Sequence, residues 1–356
     1  MQNQKYKGRG AQSNPANRFE KLSLDFESHE YESYQDEDFP DVQPQTIFFK
    51  DESKSIISKN DSKDLFFNYS FNPYRGCEHG CIYCYARPSH EFLGFSSGID
   101  FESKIMIKEN APQLLEEEFK KKSYKPEVIV FCGNTDCYQP IERKLGITRK
   151  ALQVCLKYKN PVSLITKNAL VLRDIDILKE MAGFNLVSVM LTITTLNKDL
   201  SNKMEPRTSI PERRLKVIEE MAKNNIPAGV NIAPVIPALN DKEIPAILKN
   251  AAACGALFAG YEILRLPYAV KDLFTDWLKR EMPDRAERII NSIKNIRGGK
   301  LNETEYGKRF VGEGELAETI KNLFNLSCRK YNLNGQRFSL TNRLFGRNST
   351  DQLEMF

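Results

Sequence analysis

No uninterrupted apolar run in this 356-residue chain reaches the about 18 residues that a membrane-spanning helix needs. The opening stretch "MQNQKYKGRGAQSNP" also lacks the apolar middle of a secretory leader. These two absences set the expectation of a soluble, cytoplasmic protein with no membrane partner. A disulfide framework is missing as well: 8 cysteines in a chain of this length are too sparse for one. There is no second C-x2-C to complete the two separated pairs of a common structural zinc site. With 41% hydrophobic residues the chain has enough apolar material for a large core.

Three of those cysteines are crowded into one short stretch. "YRGCEHGCIYCYARP" (74–88) carries Cys77, Cys81 and Cys84 in a C-x3-C-x2-C spacing. In a reducing compartment, clustered thiols point to metal ligation. A four-iron cluster usually takes one thiolate per iron, so three thiolates leave one iron open to an outside ligand. Two other readings stay open on spacing alone: a zinc site that borrows His79, and a disulfide pair with a spare thiol.

The surrounding chain alternates. Apolar, β-branched runs predict strands at 128–134, 162–168, 186–195, 228–236 and 258–266, and a further strand leads into "NPYRGC". Amphipathic patterns between them predict helices: one with Thr148 as N-cap, one ending at Gly183, one starting at Pro211 and one limited by Pro245. Near-continuous apolar strands alternating with helices imply a parallel sheet covered by helices. Six such units, two short of a closed eight-fold barrel, give an α/β fold, a partial (β/α)6 TIM-like barrel. Function in such barrels lies at the carboxyl ends of the strands, and the cysteine loop follows the first strand.

The cysteine motif, with an aromatic residue before its last cysteine, resembles that of radical S-adenosylmethionine (SAM) enzymes. The resemblance implies a [4Fe–4S] cluster on Cys77, Cys81 and Cys84. Its open iron would bind SAM, and reductive cleavage would give a 5′-deoxyadenosyl radical that abstracts hydrogen from a substrate. Tyr83 is then the aromatic beside the adenine. The strand ends "NTDCYQPIE" (134–142), "LITKN" (164–168), "LTITTLNKDLSNKMEPRTSIPERR" (191–214) and "VNIAPVIPALND" (230–241) resemble the branch that holds spore photoproduct lyase and DNA repair photolyase-like proteins. That likeness runs over nearly the whole chain. It implies that Lys167 contacts the SAM carboxylate, that Thr192 contacts the ribose, and that Asn134 and Asp136 lie where the methionine amino group is received. The usual "GGE" form of that last segment is absent. It also implies a hydrogen-atom donor at Cys132 or Cys137, with Tyr85 next in the transfer chain. Plain packing is the other reading of these three residues.

Outside the motifs the sequence says less. Glu205 and Arg207 read as an ion pair with each other, or as SAM contacts. Cys155 and Cys254 read as core. Residues 1–62 hold 8 Lys/Arg and 12 Asp/Glu, and "FESHEYESYQDEDFPD" (26–41) has no helical or strand period, so 1–62 is expected to be a flexible acidic arm. The barrel is then expected over 63–270 and a mostly helical C-terminal extension over 271–356, packed at the barrel's open side or mouth. Residues 63–356 carry a net +9, which suits nucleic acid or another polyanion as partner. Radical modification of a protein or small metabolite is the competing reading, and a non-catalytic metal-binding module a third. An enzyme of this resemblance also needs an electron donor such as flavodoxin or ferredoxin.

Overall fold

Strands that carry apolar residues on successive positions have no face to offer water, so both faces must be covered. The computed structural model describes residues 6–19, 44–65, 67–335 and 339–346. Its main sheet contains β2 (Ile57–Lys59), β3 (Tyr69–Phe71), β6 (Ile129–Phe131), β7 (Val162–Thr166), β8 (Val187–Thr192), β9 (Ala228–Val235) and β10 (Phe258–Ile263). The order is β10-β9-β8-β7-β6-β3-β2. Every pairing is parallel except β2 on β3. Six parallel strands with helices between them make the expected partial barrel, and β2 is an added antiparallel edge.

Each predicted strand forms, beginning on or within a residue of the expected start and ending early. The residues left over at their carboxyl ends, such as 132–136 and 264–266, turn into the site. The helices Ile147–Tyr158, Ile175–Gly183, Pro211–Lys223 and Ile244–Ala253 cover the outer face. Thr148 does not cap the first of these: the N-cap is Gly146, and the Thr148 hydroxyl donates to the Cys137 carbonyl at 2.8 Å. Gly183 is the last helical residue rather than the residue beyond it. Pro211 and Pro245 sit in first turns, where no backbone donor is lost.

Residues 1–62 do not form one loose arm. Residues 26–41 lie outside the described residues, but the flanking pieces are built in. β1 (Ile47–Lys50) pairs with β5 (Lys104–Ile107), and β4 (Tyr74–Arg75) pairs with β5 from the other side. Residues 9–11 dock on the cysteine loop. The Gly10 and Ala11 amides donate to the Glu102 carboxylate at 2.9 and 2.8 Å, and Arg87 pairs with the same carboxylate from the loop's far end. A Cβ on Gly10 would stand 1.8 Å from the Gly80 carbonyl oxygen, so only glycine permits this approach. The physical reason for the departure is this buried carboxylate, which needs the N-terminal donors.

The C-terminal extension is helical as expected, over Val270–Glu281, Pro283–Asn295 and Glu315–Lys330. Trp277, Phe274 and Ile289 form a second core with Ile82, Leu200 and Met204. The connector at 305–312 returns to the sheet: the Ile263 amide donates to the Phe310 carbonyl at 2.8 Å.

Candidate active site

The carboxyl ends of the strands surround a cavity of about 600 Å³. Cys77, Cys81 and Cys84 line its floor, together with His79, Tyr83 and Tyr85. The loop that carries them is held by its backbone. The Cys77 amide donates to Phe101 O at 2.9 Å, Ile82 N to Met204 O at 3.0 Å, and Arg87 donates to the Cys81 carbonyl at 2.9 and 3.1 Å. Burial pushes the Cys81 thiol up to about 12 and the Cys77 thiol well above its ordinary value. Without a metal, Cys77 and Cys81 therefore stay protonated, and a bound metal is what favours their ionised form.

The donor set fits a cluster better than a single ion. One zinc holds sulfurs at about 2.3 Å each, so its thiolates lie at most about 4.6 Å apart. Among the described residues, the set of three donors within 4.8 Å of one another is Cys132, Asp136 and Cys137, not the loop cysteines. His79 is occupied elsewhere. Its Nδ1 is 3.4 Å from Asp136 and its Nε2 is 3.2 Å from the Asn168 amide nitrogen, while burial lowers its pKa to about 4.

Behind the loop lies a buried polar network. Glu205 accepts from Thr194 Oγ1 at 2.5 Å and from the Tyr83 hydroxyl, and it pairs with Arg214. Arg214 also donates to the Thr192 carbonyl at 2.9 Å. Arg207 pairs instead with Glu78 at 3.0 Å. The expected Glu205–Arg207 pair is thus replaced by two separate buried pairs. Burial disfavours the charge on Glu205, but Arg214 and Lys167 outweigh it and hold its carboxyl below the ordinary value. Lys167 lines the cavity with its ammonium 5.8 Å from the Tyr83 ring centre. Burial opposes its charge too, yet Cys81 and Glu205 raise its pKa.

The other expected residues divide. Thr192 lines the cavity, whereas Thr194 is taken up by Glu205. Asn134 and Asp136 also line it. Asp136 accepts from Thr166 Oγ1 at 2.8 Å, Lys167 N at 2.8 Å and Tyr138 N at 2.9 Å, so it braces two strand ends. Cys132 lines the cavity and has φ +70°, while Cys137 is fully buried. The two are joined by a disulfide, and in this form neither sulfur has a hydrogen to give. Tyr85 is 44% exposed because its ring faces the cavity, and its hydroxyl donates to the Gly133 carbonyl.

Sequence reasoning missed the opposite wall: Glu262, Arg265, Tyr306, Arg309 and Phe310. Arg265 was reachable, since it stands just past the carboxyl end of β10. The 306–310 segment carries no local signal that places it there.

The radical SAM superfamily model matches residues 71–251, which contain the cysteine loop and the strands β4 to β9. The chain belongs to the radical SAM superfamily. It is an enzyme of that superfamily, and membership implies a [4Fe–4S] cluster and SAM. An uncharacterized protein of Mycobacterium tuberculosis, Rv2578c, is 32% identical over 238 residues, 66% of this chain and 70% of that one. An uncharacterized protein of Methanocaldococcus jannaschii, MJ0683, is 34% identical over 224 residues, 63% of this chain and 80% of that one. Among solved structures, a spore photoproduct lyase variant with bound SAM and dinucleoside spore photoproduct superposes with a TM-score of 0.58. Its identity is 15%, over 80% of this chain and 79% of that one. This radical SAM chain therefore shares the lyase's fold.

Proposed function

We propose that Cys77, Cys81 and Cys84 hold the [4Fe–4S] cluster, and that SAM lies between the cluster and the ends of β7 and β8. The observation that carries this reading is that all three thiols open onto the same cavity as Lys167, Thr192 and Tyr83. Bound there, the reduced cluster and SAM supply a 5′-deoxyadenosyl radical for hydrogen abstraction. The chain's own part is to orient and exclude. Lys167 presents a desolvated ammonium to the SAM carboxylate. Thr192 offers a hydroxyl to the ribose. Tyr83, fixed by Glu205, forms the adenine wall. Tyr85 stands between this half of the cavity and the outer half, where a substrate would enter. Return of hydrogen by Cys132 requires its bond to Cys137 to be reduced first.

For the substrate, the reading favoured here is a nucleic-acid base. The outer cavity offers aromatic faces at Tyr85, Tyr306 and Phe310, which suit stacking of an extruded base. A structural neighbour with bound dinucleoside photoproduct points the same way. The test is anaerobic reconstitution followed by SAM and single- or double-stranded oligonucleotides, with 5′-deoxyadenosine and the nucleic acid followed by mass spectrometry. Oligonucleotide-dependent release of 5′-deoxyadenosine, absent in Cys84→Ala, is the expected result. Release that ignores every oligonucleotide would move the substrate to a protein or metabolite.

A further inference from the structure

Arg265 is an ionisable group of the cavity that the reading above leaves without work. It lines the cavity just beyond β10, and its Nε is buried without a hydrogen-bond partner. Its guanidinium makes no ion pair among the described residues. What holds it is aromatic: the carbon of the guanidinium lies 4.8 Å from the Phe310 ring centre and 5.4 Å from that of Tyr85. Contacts of this kind fix a cation's position while leaving its donors free.

Two further guanidinium groups lie close by. Arg309 sits on Phe310 from 4.9 Å, and Arg297, fully buried, donates to the Leu264 carbonyl at 2.6 Å and the Lys308 carbonyl at 3.0 Å. Of the carboxyls around them, Glu303 and Glu313 act on Arg297, and Asp61 lines the cavity. Asp64 is engaged by Arg309 at 2.8 Å. Glu262 hydrogen-bonds Asn231, and burial raises its pKa. Arg265 itself has its pKa lowered, first by burial and then by Arg309. An unpaired planar fork of donors in a walled cavity matches one ligand chemistry, a carboxylate or phosphate bound side-on.

We propose that Arg265, held between Phe310 and Tyr85, is the receptor for an oxyanion of the substrate, a phosphate or a carboxylate, in the outer half of the cavity. The anion is held by the guanidinium of Arg265. The placement rests on the active-site reading above: an anchor on this wall leaves the rest of the substrate across Tyr85, facing the half assigned to SAM. It does not require the substrate to be a nucleic acid.

Calorimetry on the reconstituted protein with SAM bound tests it, with inorganic phosphate and thymidine 5′-monophosphate in one arm and succinate in the other. Saturable binding in either arm, weakened at least tenfold by Arg265→Gln with SAM affinity unchanged, is the expected result. The arm that binds names the oxyanion. Arg265→Lys keeps the charge and loses the fork, and should fall between the two. Hydrogen exchange on the unmodified protein is independent of any variant: the bound anion should protect 262–266 and 306–311. No saturable binding in either arm, equal binding in Arg265→Gln, or no protection of those segments would overturn the subsite. Anion binding that needs Arg265, without oligonucleotide-dependent SAM cleavage, would leave the subsite standing and remove the nucleic-acid reading. Oligonucleotide-dependent cleavage untouched by Arg265→Gln would do the reverse.

Discussion

The two halves of the cavity are built on opposite plans. Behind the cysteine loop the buried charges are paired: Glu205 with Arg214, Arg207 with Glu78 and Arg87 with Glu102, while Asp136 accepts from the end of β7. In the outer half, Arg265 has none, and aromatic rings do the positioning. A saturated network specifies one geometry and suits a cofactor that never varies. An unsaturated wall carries a desolvation cost that only a bound group relieves. The difference teaches where to look for the variable part of the chemistry: in the half where the donors are unspent.

The comparison breaks most completely at the cluster loop. Cys81→Ala should bring iron content after anaerobic reconstitution to background, while Arg265→Gln should keep the full complement. An iron assay with the visible absorbance of the cluster checks both. Next in size is the network behind it. Glu205→Ala leaves Arg214 buried without its carboxylate, which should cost about 3–5 kcal/mol of stability. Denaturant unfolding of the variant against the parent measures this, and a loss under about 1 kcal/mol would mean water replaces the carboxylate.

Lys167→Ala and Thr192→Val remove the two proposed SAM contacts. Each should weaken SAM binding, by about 1.5–3 kcal/mol for the charged contact, at least tenfold, with iron content intact. Calorimetry with SAM decides it, and unchanged affinity in both would move the SAM site. The smallest effect belongs to the outer wall. Asp64→Asn loosens an ion pair near the surface, worth about 0.2–1 kcal/mol. It should leave iron and SAM affinity unchanged while hydrogen exchange rises at 60–65 and 306–311.

The inner half was legible because its residues announce themselves locally. Three cysteines in eight positions, a lysine and a threonine at the ends of apolar runs, and the β/α rhythm all follow from short stretches. Strand starts were right to within a residue because apolar periodicity decides them; strand ends ran long, as at 264–266, where apolar residues continue while the chain turns into the cavity. The pairing of Glu205 was misread. Arg207 is nearer in sequence, but the turn at 204–210 carries it over to Glu78, and the helix Pro211–Lys223 brings Arg214 back. The docking of residues 9–11 was hidden because its partner is a single carboxylate, Glu102, some 90 positions away. Phe310 and Arg309 were hidden for the same reason: their place depends on the long return from the C-terminal helices.

That return has a consequence in time. Arg309 reaches Asp64 across 245 positions of chain and joins the two free edges of the sheet, the β2–β3 hairpin and the β10 side. Chains emerge from the ribosome at roughly 5–20 residues per second, so Arg309 follows Cys84 by roughly 10–45 s. Residues 9–11, Glu102 and Arg87 have all emerged well before then. In each newly made molecule the cysteine loop can be seated while the seam beside it is still open. The half of the cavity that carries the cysteines is thus older than the wall at 306–310, and the seam stays a doorway until the last quarter of the chain arrives to shut it.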